Sequence, residues 1–166
     1  RNVTGVQTCA LPIYKPYLLL AGSLLDIERY AHVPQQEAFL KMMKTLWPGP
    51  LTIIFKARED APSFMASQEG TIAFRIPKHI QLQAILAQVG ILFSTSANIS
   101  GQPVPERYKD VSSFIKEGVA LSVLPEKEEE VQSTIPSTII DVSKGALEFV
   151  RQGAIRLEII KACLLE

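Results

Sequence analysis

The chain is predicted to form an α/β domain, a mixed sheet covered by helices, and three observations lead there. Strand-like and helix-like segments alternate along most of its length. Several of the strand-like runs are apolar throughout rather than at every second residue, as in strands buried on both faces. Two of them, TIIDV and LEFVR, stand only SKGA apart, the spacing of an antiparallel hairpin.

Taken in order, residues 1–13 (RNVTGVQTCALPI) fit no helical or strand period and join abruptly to YKPYLLLAG. They resemble translated adapter read-through and are set aside as non-native. The domain is therefore expected over residues 14–166, without its own N-terminal part. YLLLAG reads as a buried strand. Ser23, with Asp26 three residues on, opens a helix through a capping-box pattern. After Pro34, QQEAFLKMMKTLW places Phe39, Met42, Met43 and Leu46 at helical spacing, a core face. WPGP ends that helix, because prolines on both sides of a glycine cannot continue it. LTIIF and TIAFRI are the next strands, HIQLQAILAQVG a helix closed by Gly90, and ILF a strand. RYKDVSSFIKEG reads as a helix stopped by Gly118. VALSVL, STIIDV and LEFVR are expected strands, and RLEIIKACLLE is a terminal helix.

Composition narrows the function. Of 166 residues, 47% are hydrophobic and 20% charged, which excludes a disordered chain and is enough for one domain with a core. The longest apolar runs are too short to cross a bilayer, and no charged-then-apolar secretion signal opens the sequence. A soluble, cytoplasmic domain without a membrane partner is expected. Seventeen basic residues balance seventeen acidic ones, so bulk charge selects no polyanion. Residues 1–110 hold eleven basic and eight acidic residues, so a nucleic-acid face, if present, belongs there. Cys9 and Cys163 sit at opposite ends and lack metal-ligand spacing, which supports neither a disulfide framework nor zinc. His32 and His79 adjoin element ends, where a surface or capping role is expected. GxxxxGK[ST], GxGxxG, GxSxG and HExxH are all missing.

Four polar islands stand against apolar flanks. Lys15-Pro16 precedes a buried strand. In TIAFR, strand alternation sends Thr71, Ala73 and Arg75 to one face. An arginine there needs a partner, either a carboxylate of the fold or an anionic ligand, and guanidinium geometry suits both. FSTSANISGQP, from Phe93 to Pro103, follows a strand, where open α/β sheets bind ligands. Its hydroxyls and N–H groups suit an anion nest, and equally a run of Asx and Ser/Thr turns. Pro136-Ser137-Thr138 and Arg151-Gln152-Gly153 flank the expected hairpin. Together the islands supply cations and neutral donors without a carboxylate pair, an inventory suited to phosphoryl or nucleotidyl transfer.

LWPGPLTIIF, TIAFRIPKH, FSTSANISGQP, PSTIIDV and VRQGAI stand in the order and spacing of the YrdC-type domain. The chain resembles the YrdC/TsaC family of threonylcarbamoyl-AMP synthases from about residue 14 to residue 155. The resemblance implies a twisted, open mixed sheet flanked by helices. It also implies an enzyme that joins L-threonine, bicarbonate and ATP, releasing pyrophosphate, for N6-threonylcarbamoyladenosine in tRNA. Mg²⁺ is expected to arrive with ATP, and a threonylcarbamoyl transferase complex to receive the product. Ser96 and Asn98 match the family's catalytic SxN pair. Lys15, Thr71 and Arg151 match ATP contacts, and Arg75, Thr95 and Ser137 match L-threonine contacts. Two departures accompany the match. The family's KxR element is missing before Lys15, which predicts little turnover by this chain, and Leu20 stands where some members place a histidine. A double-stranded RNA-binding maturation factor without catalysis is the rival reading. A detached domain of a hydrogenase-maturation protein is a further one, disfavoured by the lack of zinc-finger cysteines.

Overall fold

The structure, a computed structural model, describes residues 17–99, 101–124 and 135–165. They fall into two compact units, one of residues 17–94 with 136–165, the other of the described residues between 95 and 135. The strands are β1 (Leu18–Leu20), β2 (Ala31–His32), β3 (Leu51–Ala57), β4 (Thr71–Arg75), β5 (Leu92–Ser94), β6 (Thr138–Asp141) and β7 (Glu148–Arg151). The helices are α1 (Leu24–Glu28), α2 (Glu37–Leu46), α3 (Ile80–Val89), α4 (Ser113–Gly118) and α5 (Leu157–Leu165). Only α4 belongs to the second unit.

The seven strands make one open mixed sheet in the order β5-β1-β4-β3-β6-β7, with β2 paired to β3 off this path. β1 with β4 and β3 with β6 are parallel; the remaining pairs are antiparallel. One face forms the core. Leu19, Leu51, Ile53, Phe55, Ile72, Phe74 and Ile140 are buried there, in one cluster with Met42 and Met43 of α2 and Ile160 of α5. Burying each such side chain contributes about 1.5–3 kcal/mol. The other face carries the alternate residues. Pairing sets Lys56 beside Thr71, Ile54 between Ala73 and Asp141, and Thr52 beside Ile139.

The helix ends follow their residues. Ser23 Oγ accepts from Asp26 N at 3.3 Å and donates to the Asp26 carboxylate at 2.7 Å, so the serine caps α1 as expected, with its hydroxyl rather than its backbone N–H meeting the carboxylate. His79 Nδ1 accepts from Leu82 N at 3.2 Å, which makes that histidine the cap of α3. Gly90 closes the same helix at φ +82°, a conformation that favours glycine. In WPGP, Trp47 Nε1 donates to Leu51 O at 2.7 Å and Gly49 N to Ile76 O at 2.8 Å. A Cβ on Gly49 would stand 2.3 Å from Leu46 O, so the loop admits only glycine.

Two expectations fail in the second unit. RYKDVSSFIKEG is not one helix: a 3₁₀ turn over Tyr108–Asp110 is followed by extended Val111 and Ser112, and α4 starts only at Ser113. Ser112 stands at the N-cap of α4 and its carbonyl accepts from Ile115 and Lys116, while its side chain makes no capping bond; the extended backbone at Val111 is what parts the two helical pieces. VALSVL is not a strand. It finds no ladder partner among the described residues, and an apolar, β-branched run without one has no reason to be extended in a sheet. β2, by contrast, was not expected; it is two residues long and carries no pattern of its own.

Candidate functional site

Arg75 is the last residue of β4 and half-buried. Its Nε donates to Gly49 O at 3.0 Å, across the WPGP loop, and that is the one polar contact of its side chain among the described residues. No described carboxylate lies within ion-pair distance of it, so among the described residues the carboxylate partner expected for this arginine is not found. Burial pushes the guanidinium's pKa below its ordinary value, the signature of a cation short of solvent and not compensated by a neighbour. An arginine nonetheless keeps its proton in the physiological range. Such a group favours an anion that arrives from outside.

Ser137 and Arg151 form a bonded pair. Arg151 Nη2 donates to Ser137 O at 2.9 Å and lies 3.5 Å from Ser137 Oγ. Ser137 Oγ is 2.8 Å from Thr52 Oγ1 on β3. The pair is fixed by Thr138, which is fully buried and whose hydroxyl donates to Ile155 O at 2.6 Å while accepting from Gly153 N and Ile155 N at 3.0 Å. Gly153 permits the close approach: a Cβ there would meet Pro136 O at 2.3 Å and Ser137 C at 2.4 Å. Ladder register then places Arg75, Thr52, Ser137 and Arg151 at one end of the sheet. Phe74 faces Ile53, Leu51 faces Thr138, and Ile139 faces Arg151.

Thr71 lies at the other end of β4, on the face that Arg75 occupies and about 13 Å from it by strand rise. Its Oγ1 is 2.8 Å from Ser67 Oγ, which also accepts from Thr71 N at 3.2 Å. It helps to line an open cavity of about 240 Å³ with Lys56, Lys144, Glu69 and Asp141.

The second unit holds Thr95, Ser96 and Asn98. Thr95 and Ser96 are exposed, with no polar side-chain partner among the described residues. Asn98 Nδ2 donates to Gln102 O at 2.7 Å and to Ile99 O at 3.2 Å, closing a turn in which Gln102 N also donates to Ile99 O and Gly101 takes φ +81°. Its amide donors are thus spent on the backbone, while its Oδ1 has no partner among the described residues. Lys15 lies outside the described residues, as do residues 1–13. Leu20 faces Arg75 in the ladder between β1 and β4. Thr52 was not singled out from the sequence; the signal was a lone hydroxyl inside the apolar run LTIIF. Among the described residues no three His, Cys, Asp or Glu side chains are grouped to hold a metal ion, and no helix is long and apolar enough to cross a membrane.

Residues 9–153 match the model of the Sua5/YciO/YrdC family, described as telomere recombination. This chain belongs to that family. A threonylcarbamoyl-AMP synthase of Vibrio cholerae is 33% identical over 144 residues, which are 86% of this chain and 74% of the relative. Pyrococcus abyssi threonylcarbamoyl-AMP synthase is 28% identical over 164 residues, 93% of this chain and 45% of the relative. Among solved structures, P. abyssi Sua5 complexed with L-threonine superposes with TM-score 0.73 at 28% identity, over 92% of this chain and 44% of that one. The chain thus spans less than half of the P. abyssi Sua5 protein. The open mixed sheet is the fold of this Sua5/YciO/YrdC family.

Proposed function

We propose that the chain is a threonylcarbamoyl-AMP synthase domain that joins L-threonine, bicarbonate and ATP for the modification of tRNA. The observation that carries the reading is Arg75, a half-buried cation with no described carboxylate, at the sheet end where Ser137 and Arg151 are bonded together. The name of the Vibrio relative and the L-threonine in the P. abyssi complex support it.

In this reading the amine of threonine adds to bicarbonate and water leaves, giving a carbamate. A carbamate oxygen then attacks the α-phosphorus of ATP; the new P–O bond forms as the α–β phosphoanhydride breaks and pyrophosphate departs. Arg75 takes the threonine carboxylate by two parallel N–H bonds. Ser137 and Thr95 hold the same amino acid. Lys15, Thr71 and Arg151 hold ATP, with Arg151 offsetting phosphate charge, and Ser96 and Asn98 orient reacting oxygens. Asn98 does so through Oδ1, since its amide is committed to the turn. The phosphates of ATP would carry Mg²⁺, which would offset charge on the departing pyrophosphate, since the described residues hold no cluster of metal ligands. The product passes to a threonylcarbamoyl transferase acting on a tRNA adenosine, in the cytoplasm.

Pyrophosphate release, measured on the chain with a KxR element restored before Lys15 and with ATP, bicarbonate and L-threonine present or omitted, tests the reading. Release that requires threonine and falls at least about a hundredfold in Arg75→Ala and in Ser96→Ala is expected, in line with removing a group that acts on the transition state. No release, with threonine binding equally absent, overturns it.

A further inference from the structure

We propose that Thr52 is a positioning residue for L-threonine, acting through Ser137 without touching the ligand. The inference rests on the assignment of Ser137 to the threonine site and extends it to a residue 85 positions away in sequence. Thr52 is only 2% exposed and stands between buried Leu51 and Ile53. A hydroxyl in such a strand is costly to bury unless it is hydrogen-bonded. The one polar partner of its side chain is Ser137 Oγ at 2.8 Å.

The direction of that bond follows from counting protons. Each hydroxyl has one proton and can accept. Arg151 can only donate, and its Nη2 lies toward both oxygens of Ser137, 2.9 Å from the carbonyl and 3.5 Å from Oγ. If Ser137 donated to Thr52, the Thr52 proton would have no acceptor, and Ser137 would have no proton for a ligand. One proton is left over in either direction; with Thr52 donating it sits on Ser137, the less buried of the two residues (7% against 2% exposed), where a ligand can accept it. Ser137 Oγ then accepts from Thr52 and keeps its own O–H for a ligand, with Arg151 Nη2 at the long distance of 3.5 Å. That O–H suits an oxygen that only accepts, which a carboxylate of bound threonine offers and a protonated amine does not.

Calorimetric titration with L-threonine and, separately, with ATP tests this in the wild-type chain and four variants. Thr52→Val should weaken L-threonine binding about three- to tenfold, the size of one buried hydrogen bond, and leave ATP binding unchanged. Thr52→Ser should bind threonine as the wild type does. Ser137→Ala should weaken threonine binding at least as much, and the double variant T52V/S137A should be no weaker than S137A alone. Thr52→Val with unchanged threonine affinity, equal weakening toward both ligands, or additive losses in the double variant would each overturn the proposal. If Ser137→Ala leaves threonine binding intact, the assignment of Ser137 fails and the inference with it. A wild-type chain that binds no L-threonine removes the proposed function itself.

Discussion

Arg75 is held at a cost that its surroundings do not repay. One hydrogen bond to Gly49 O partly offsets the removal of a guanidinium from water, and no described carboxylate adds to it. Replacing it by methionine, which fills a similar volume without the charge, should leave the unfolding free energy from urea titration within about 1 kcal/mol of the wild type or raise it slightly. The same variant should lose L-threonine affinity by at least tenfold, about the size of a hydrogen bond to a charged group. A large loss of stability with affinity retained would make Arg75 structural. Arg75 was legible because it stands between apolar residues of a strand, where a polar group needs a reason, whereas Ser137 and Arg151 only flank the hairpin and were picked out by the family's motifs. Thr52 too stands between apolar residues of a strand, but its reason lies 85 residues away, and strand alternation alone does not reveal a partner at that distance. Asn98 was legible only as an alternative. Its amide does close a turn, but by donating to the carbonyls of Ile99 and Gln102 rather than by the side-chain oxygen of an Asx turn, and that oxygen is what the chemical reading still has.

At the scale of elements, the hairpin of β6 and β7 is where local chemistry and the candidate site meet. Its turn, SKGA, was readable in the sequence, with Gly145 at φ +84° and the strands paired as expected. What the sequence concealed is the clasp beyond β7, where the Thr138 hydroxyl closes three hydrogen bonds onto the Gly153–Ile155 backbone. Thr138→Val keeps the shape but leaves the buried Ile155 N–H and the part-buried Gly153 N–H without their acceptor, while Ile155 O keeps only its bond from Gln152 Nε2. It should lower unfolding free energy by about 2–4 kcal/mol in urea titration. Gly153→Ala pushes a Cβ against backbone that cannot step aside, and a loss of about 1–3 kcal/mol or more is expected. Either variant behaving as the wild type would mean that the clasp does not set Ser137 and Arg151. The segment VALSVL misled for the opposite reason. β-branched and apolar residues were present there, but a strand exists only by virtue of its neighbours, and composition does not supply them.

Over the whole molecule, apolar burial is divided unevenly. Every buried side chain of the core cluster lies in the unit of residues 17–94 and 136–165. In the second unit no described residue is buried, and Phe114, Val119, Leu121, Val123 and Leu124 are exposed. Its helix α4 has six residues, and a helix that short gains little from its own hydrogen bonds. Local opening free energy follows buried contact, so protection against amide exchange should differ between the units. Amides of β3 and β4 should exchange near the global unfolding limit. Those of Tyr108–Asp110 and Ser113–Gly118 should exchange faster by about two orders of magnitude or more, a difference within the span that sub-global opening covers. Hydrogen exchange read by mass spectrometry on peptides from 51–75 and 105–118 makes the comparison. Equal protection would mean that the second unit opens only with the sheet, and its stability would then have to come from something other than its own burial. The expected gradient would put Ser96 and Asn98 in the part of the chain that opens most readily, where binding loops are drawn from, while Arg75, Ser137 and Arg151 stay on the part that opens last.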